Sequence, residues 1–149
     1  MSITETPTGD TVRRLRSREL VTHVSYLRAL RTAAQDTTQT QLASRIGISQ
    51  PSVNSALKSA AAVLDVRPGF SGATPYEIAQ RFDAGELTRE QVVDELGRWD
   101  YRPGSPSDGY DWSTFDAGEF AEVARAHTEH LIDDATYDEI LIRYSEQGR

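Results

Sequence analysis

Three observations predict an all-α fold. Apolar residues recur at spacings of three and four, residues that cap helices precede the periodic segments, and no alternating apolar run reaches strand length. The 149 residues suit one domain of ordinary size or two small ones. The absence of cysteine excludes disulfide scaffolds, zinc ribbons, iron–sulfur clusters and thiol nucleophiles together. No run approaches the roughly 18 apolar residues of a membrane span, and residues 1–10 lack the apolar segment of a signal peptide. A cytoplasmic protein with no membrane partner is therefore expected.

The formal net charge of -7 is unevenly distributed. Residues 1–65 carry eight basic groups against five acids, a balance of +3, whereas residues 66–149 carry eight against eighteen, a balance of -10. Such asymmetry points to two halves with different tasks.

Along the chain, residues 1–10 offer no periodic apolar face, and the helical signal begins near Ser17. Leu20, Val24, Leu27 and Ala34, widened by Val21 and Leu30, predict a first helix to about Ala34 with one buried face. Residues 35–38 supply turn and capping chemistry before a short helix from Gln39 to Ile46, with Leu42, Ala43 and Ile46 inward. Gly47 is expected to end it at positive φ, with Ile48 as an apolar plug. Ser49 is placed to cap a third helix whose first turn holds Pro51, where a missing N–H costs nothing. That helix buries Val53, Ala56 and Leu57 and is expected to run through Ala60 toward Ala62.

The stretch Arg67-Pro-Gly-Phe-Ser-Gly72 reads as a linker at the change of charge sign. Beyond it, Thr74 with Glu77 and Thr88 with Gln91 read as capping boxes opening two helices, the first ending near Phe82 and the second at Trp99, with Gly85 between. A weak repeat follows about 45 residues on. Phe120-Ala-Glu-Val-Ala-Arg125 echoes Tyr76-Glu-Ile-Ala-Gln80, and Asp138-Glu-Ile140 with Tyr144 echoes Asp94-Glu-Leu96 with Trp99, giving two helical hairpins. Residues 101–116 between them read as a loop. The aromatic group Trp99, Tyr101, Tyr110, Trp112 and Phe115 there either braces the C-terminal core or forms a partner-binding patch.

The segment Gln39-Thr-Gln-Leu-Ala-Ser-Arg-Ile-Gly-Ile-Ser-Gln-Pro-Ser-Val-Asn-Ser-Ala-Leu57 resembles the helix-turn-helix of the lambda-type Cro and Xre-like DNA-binding repressors. Gln39 stands at its start, Ala43 where the two helices touch, Gly47 in the turn and Val53 as the anchor of the second helix. Physical logic supports the match independently: two short helices crossing steeply need a small contact residue, a turn glycine and a polar outer face. The resemblance implies a recognition helix over residues 50–59 in the major groove. Gln50, Ser52 and Ser55 are the first candidates for base edges, with Asn54 and Lys58 reading a base or holding a phosphate. Thr38, Gln39 and Arg45 lie where the first helix of such a unit meets the phosphate backbone. Arg13, Arg14, Arg16 and Arg18 are candidate phosphate contacts on a flexible arm, or else the solvated start of a helix.

The expected organisation is thus a disordered arm over 1–14, a helix-turn-helix domain over 15–66, a linker over 67–73 and an acidic domain over 74–149 of two helical hairpins. Enzyme chemistry has little support: no phosphate-binding glycine loop, no nucleophile elbow and no metal constellation is visible, His127 and His130 lacking a third ligand at a fixed offset. No cofactor is expected. The expected function is a sequence-specific transcriptional regulator, a repressor, binding double-stranded DNA as a homodimer. The alternative is an antitoxin-type protein whose acidic C-terminal half neutralises a protein partner while the N-terminal half autoregulates. The segment Phe82-Asp-Ala-Gly-Glu-Leu-Thr-Arg-Glu90 resembles short helical oligomerisation modules, which bears on the dimer.

Overall fold

A computed structural model describes residues 6–101 and 120–147. Among these residues the chain forms seven helices and no strand: α1 (Gly9–Ala33), α2 (Gln39–Ile46), α3 (Gln50–Ala60), α4 (Pro75–Asp83), α5 (Arg89–Arg98), α6 (Ala121–Thr128) and α7 (Asp134–Glu146). No helix among the described residues is long and apolar enough to cross a membrane. Tyr110, Trp112 and Phe115 lie outside the described residues.

The chain divides into two compact units, one of residues 19–65 and one of residues 1–18 with 66–149. Helix α1 contributes to both. It begins at Gly9 rather than near Ser17, so residues 9–14 are helical and not a disordered arm. The cause is local and tertiary at once. The Thr8 hydroxyl accepts from the Thr11 N–H at 3.2 Å, Asp10 pairs with Arg13 at 2.7 Å, and Arg13 is bonded in turn to Asp83 on α4.

The smaller unit is built on the last turns of α1 with α2 and α3. Its core joins Leu30, Leu42, Ala43 and Val53, with Tyr26, Ala33, Ala34, Ala56 and Leu57 packed around them. Thr38 and Gln41 form a reciprocal capping box at the start of α2, and Gly47 ends the helix at φ 83, where its N–H reaches Ala43 O at 2.9 Å. Ser49 caps α3 by accepting from the Ser52 N–H. Three apolar expectations are corrected here. Ile46 is 41% exposed and Ile48 37%, because the three helices close their core on Leu30, Leu42, Ala43 and Val53. Leu20 is exposed while its neighbour Val21 is buried, with Leu27 and Leu30 inward as the stripe predicts. Helix α3 stops at Ala60, short of Ala62.

The larger unit packs α4 on α5 and α6, α5 on α7, and α6 on α7. Ile78, Val92, Val93, Leu96, Val123, Ile132 and Ile140 fill its centre. Trp99 and Tyr101 are buried in the same core, where the Tyr101 ring meets Phe120 and Tyr144 edge-on and its hydroxyl donates to Leu96 O. Thr88 and Gln91 form the expected capping box on α5. At α4, Thr74 accepts from the Glu77 N–H, but the Glu77 carboxylate reaches Ala73 N and Arg81 instead of closing the box.

The expected linker is an ordered turn of this unit. Arg67 N–H reaches Gly72 O at 3.2 Å, the Ser71 hydroxyl donates to Glu95 at 2.8 Å, and Arg98 donates to Gly69 O at 2.5 Å. Phe70 stands edge-on to Trp99, with the Arg98 guanidinium 4.1 Å above its ring. A glycine-rich turn reads as a tether from sequence because such partners are more than twenty residues away.

Candidate nucleic-acid interface

The candidate site sits on the smaller unit, where α2, the Gly47 turn and α3 leave one polar face outward. Gln50, Ser52, Ser55, Lys58 and Ser59 are exposed along α3, and Asn54 is half-buried at the edge of that row. Most of the expected base-contacting set is thereby placed on one surface. Its first residue has a specific partner: the Gln50 side-chain amide donates to the Gln39 side-chain oxygen, across from the first turn of α2. In the sequence these two glutamines have separate expected tasks, Gln50 at a base and Gln39 at a phosphate. The structure joins them. The bond uses the Gln50 amide and the Gln39 oxygen, so the Gln50 oxygen remains as an acceptor and the Gln39 amide as a donor.

Two hydroxyls of the set are engaged locally. Ser52 Oγ is 2.8 Å from Ser49 Oγ, and the Thr38 hydroxyl accepts from Gln41 N–H. Both residues stay exposed at helix N-termini, where unsatisfied N–H groups and the helix dipole favour an anion. Arg45 projects from the last turn of α2 and is exposed, as is Lys58 in the last turn of α3.

Arg28 and Arg31, not among the expected site residues, fix this surface from behind. The Arg31 guanidinium donates to Ala60 O and Val63 O, both at 2.6 Å, and pairs with Asp65 at 2.5 Å; Arg28 donates to Leu64 O at 3.0 Å. Two cations thus satisfy carbonyls at and beyond the C-terminal end of α3, where the dipole favours positive charge. The sequence signal is an Arg pair at i, i+3 beside the Leu27–Leu30 stripe.

The four N-terminal arginines do not act as a flexible arm. Arg13 is held by Asp83 and Asp10, and all four lie within α1. They also belong to the larger unit, which changes the charge account. The smaller unit has four basic groups against three acids, a balance of +1, and the larger has twelve against twenty, a balance of -8.

His127 and His130 are not brought together around a common centre: His127 Nε2 is 2.7 Å from Asp134 and its ring stacks on Tyr137, while His130 turns the chain at φ 66. Comparison with protein-family models, with curated proteins and with solved structures returns no match.

Proposed function

We propose that the chain is a sequence-specific DNA-binding regulator, a repressor, that inserts α3 into the major groove as a Cro- or Xre-like helix-turn-helix. The observation that carries this reading is the Gln39–Gln50 pair on an otherwise small and polar helix face. An amide acceptor next to an amide donor matches the N6–H and N7 edge of adenine, and the flanking serines allow the backbone a close approach. Thr38, Arg45 and Lys58 are positioned to hold phosphates on either side. One unit of this size makes few contacts, so two copies on half-sites about 34 Å apart supply the affinity. The acidic larger unit, with its two helical hairpins, repels duplex that offers no base contacts and so favours specific sites.

Selection of bound duplexes from a random pool tests this. The wild-type chain should enrich a motif with an A·T pair at a fixed position. Gln50→Ala should reduce preference there about tenfold, the equivalent of about 1.4 kcal/mol, with unchanged helical circular dichroism. Absence of any enriched motif with the wild-type chain would overturn the reading.

A further inference from the structure

The larger unit exposes two apolar spots set in opposite charge. On the first turns of α1, Val12 is 60% exposed and Leu15 55%, with exposed Arg14 and Arg18 one turn apart beside them. On α7, Ile142 is 57% exposed at the wall of an open groove of about 560 Å³ lined also by Glu139, Arg143, Glu146 and Gln147. Asp138 and Glu146 stand at i−4 and i+4 from Ile142 and share its face, opposite the buried Thr136 and Ile140. Among the described residues, none of Arg14, Arg18, Asp138 and Glu146 takes part in an ion pair.

We infer that these surfaces are the two halves of a self-association contact: the start of α1 in one copy docks on the outer face of α7 in a second copy, and reciprocally. The charge pattern selects this arrangement over the simpler ones. A second copy placed α7 on α7 sets Asp138 and Glu146 against acids, and α1 on α1 sets Arg14 and Arg18 against arginines. Counted in full, residues 10–19 carry four basic groups against two acids and residues 134–146 one against four. The crossed pairing therefore joins a net-basic to a net-acidic segment while covering Val12, Leu15 and Ile142 together. The inferred contact is the reciprocal one, α1 meeting α7 and α7 meeting α1 about one two-fold axis, which closes as a dimer. The same halves used head to tail would give larger species, and those would overturn it. The contact does not rest on the DNA-binding reading, and it can be measured without DNA.

The test uses the full chain in sedimentation velocity at low salt. The wild-type chain should be a dimer whose dissociation constant rises with ionic strength. Arg14→Glu with Arg18→Glu should make it monomeric, as should Asp138→Lys with Glu146→Lys in a separate variant. Mixing the two variants should restore a dimer, because each contact in the mixed pair again joins opposite charges. Leu15→Gln and Ile142→Gln, both at exposed positions, should each weaken the dimer at least about tenfold at constant charge. A monomeric wild-type chain, charge variants that still dimerise, or a mixture that stays monomeric would each overturn the inference. The same holds for a dimer untouched by both glutamine variants.

Discussion

Asp83 on α4 holds the start of α1 through Arg13. The guanidinium reaches Asp83 Oδ1 from Nε at 3.2 Å and from Nη2 at 3.0 Å, while the Ser17 hydroxyl donates to Oδ2 at 2.6 Å. The Asp83 side chain is 4% exposed, and its hydrogen bond is the main reason that the Arg13 pKa is raised. Removing one member of such a pair strands the other without its counter-charge. Arg13→Ala should therefore cost about 3 kcal/mol in urea denaturation. Thr22→Ala, at an exposed position farther along the same helix, should stay within about 0.5 kcal/mol. Equal effects of the two substitutions would remove Arg13 from the structural account.

On the DNA-binding reading, the salt dependence of affinity follows from which cations are already engaged. Arg28 and Arg31 are bonded to carbonyls at and beyond the end of α3, leaving Arg45 and Lys58 as the exposed cations nearest the polar face of the smaller unit. Each phosphate contact contributes roughly -0.9 to the slope of log affinity against log salt, so a dimer should show a slope of about -4. Arg45→Gln should flatten it by about 2, since two copies lose one contact each. Arg31→Gln should lower the melting temperature and leave the slope alone. A wild-type slope near about -10 would require phosphate contacts from other cations.

Much of the α2–α3 region was legible in the sequence because its signals are local. Thr38, Gly47, Ser49 and Pro51 each act on the backbone within a few residues, and Val53 follows from helical period alone. Where two apolar residues are adjacent, periodicity does not fix which one turns inward: Leu20 and Val21 are about 100° apart on the helix, and only packing chose Val21. Pairings across long separations were illegible for a different reason. Arg13 with Asp83, Arg31 with the Ala60 carbonyl, and Ser71 with Glu95 join groups whose sequence neighbourhoods hold no trace of each other. The polar face of α3 was readable as a face, but the Gln39–Gln50 bond needed the crossing of two helices to be known.

The connection between α6 and α7 should respond to acid. Hydrogen bonds from Thr136, from its side chain first and its backbone second, hold the Asp133 carboxyl below its ordinary value of 3.8. Glu129 is also lowered from 4.5: burial, its largest single influence, pushes it up, but the Tyr76 hydroxyl and the Arg125 guanidinium together outweigh that. A carboxyl depressed in the folded state stabilises above its unfolded pKa, and that contribution is lost as pH falls through the folded value. Asp133→Ala should cost about 1 kcal/mol at pH 7 through the lost helix cap. The gap to the wild-type chain should begin to narrow below about pH 4 and close below the folded value, which lies lower. Tyr76 behaves oppositely. Burial and then its bond to Glu129 push its hydroxyl to about 12. Its stabilising contribution is complete below pH 10 and is lost as pH rises through the folded value. Urea melts of Asp133→Ala and Tyr76→Phe from pH 3 to 11 read both; a gap for Asp133→Ala that does not narrow between about pH 5 and 3 contradicts the acid half.

Gly97 sets how closely α5 and α7 approach. A Cβ built there would lie 2.8 Å from Arg143 Cβ and 3.2 Å from its Cδ. The nearer atom is fixed to the α7 backbone, so rotating the arginine side chain does not relieve the contact. Two effects compete in Gly97→Ala. Replacing a glycine inside a helix gains up to about 1 kcal/mol in propensity. Forcing two packed helices apart costs about 1–3 kcal/mol, because neighbouring core contacts loosen together. The cost should win, with Gly97→Ala less stable by about 1–2 kcal/mol in urea. Arg143→Gly removes the opposing Cβ. Combined with Gly97→Ala it should give less destabilisation than the sum of the two single changes, since the second substitution no longer meets the first. Strict additivity in that double-mutant cycle would show that the two helices are not held apart by these two atoms.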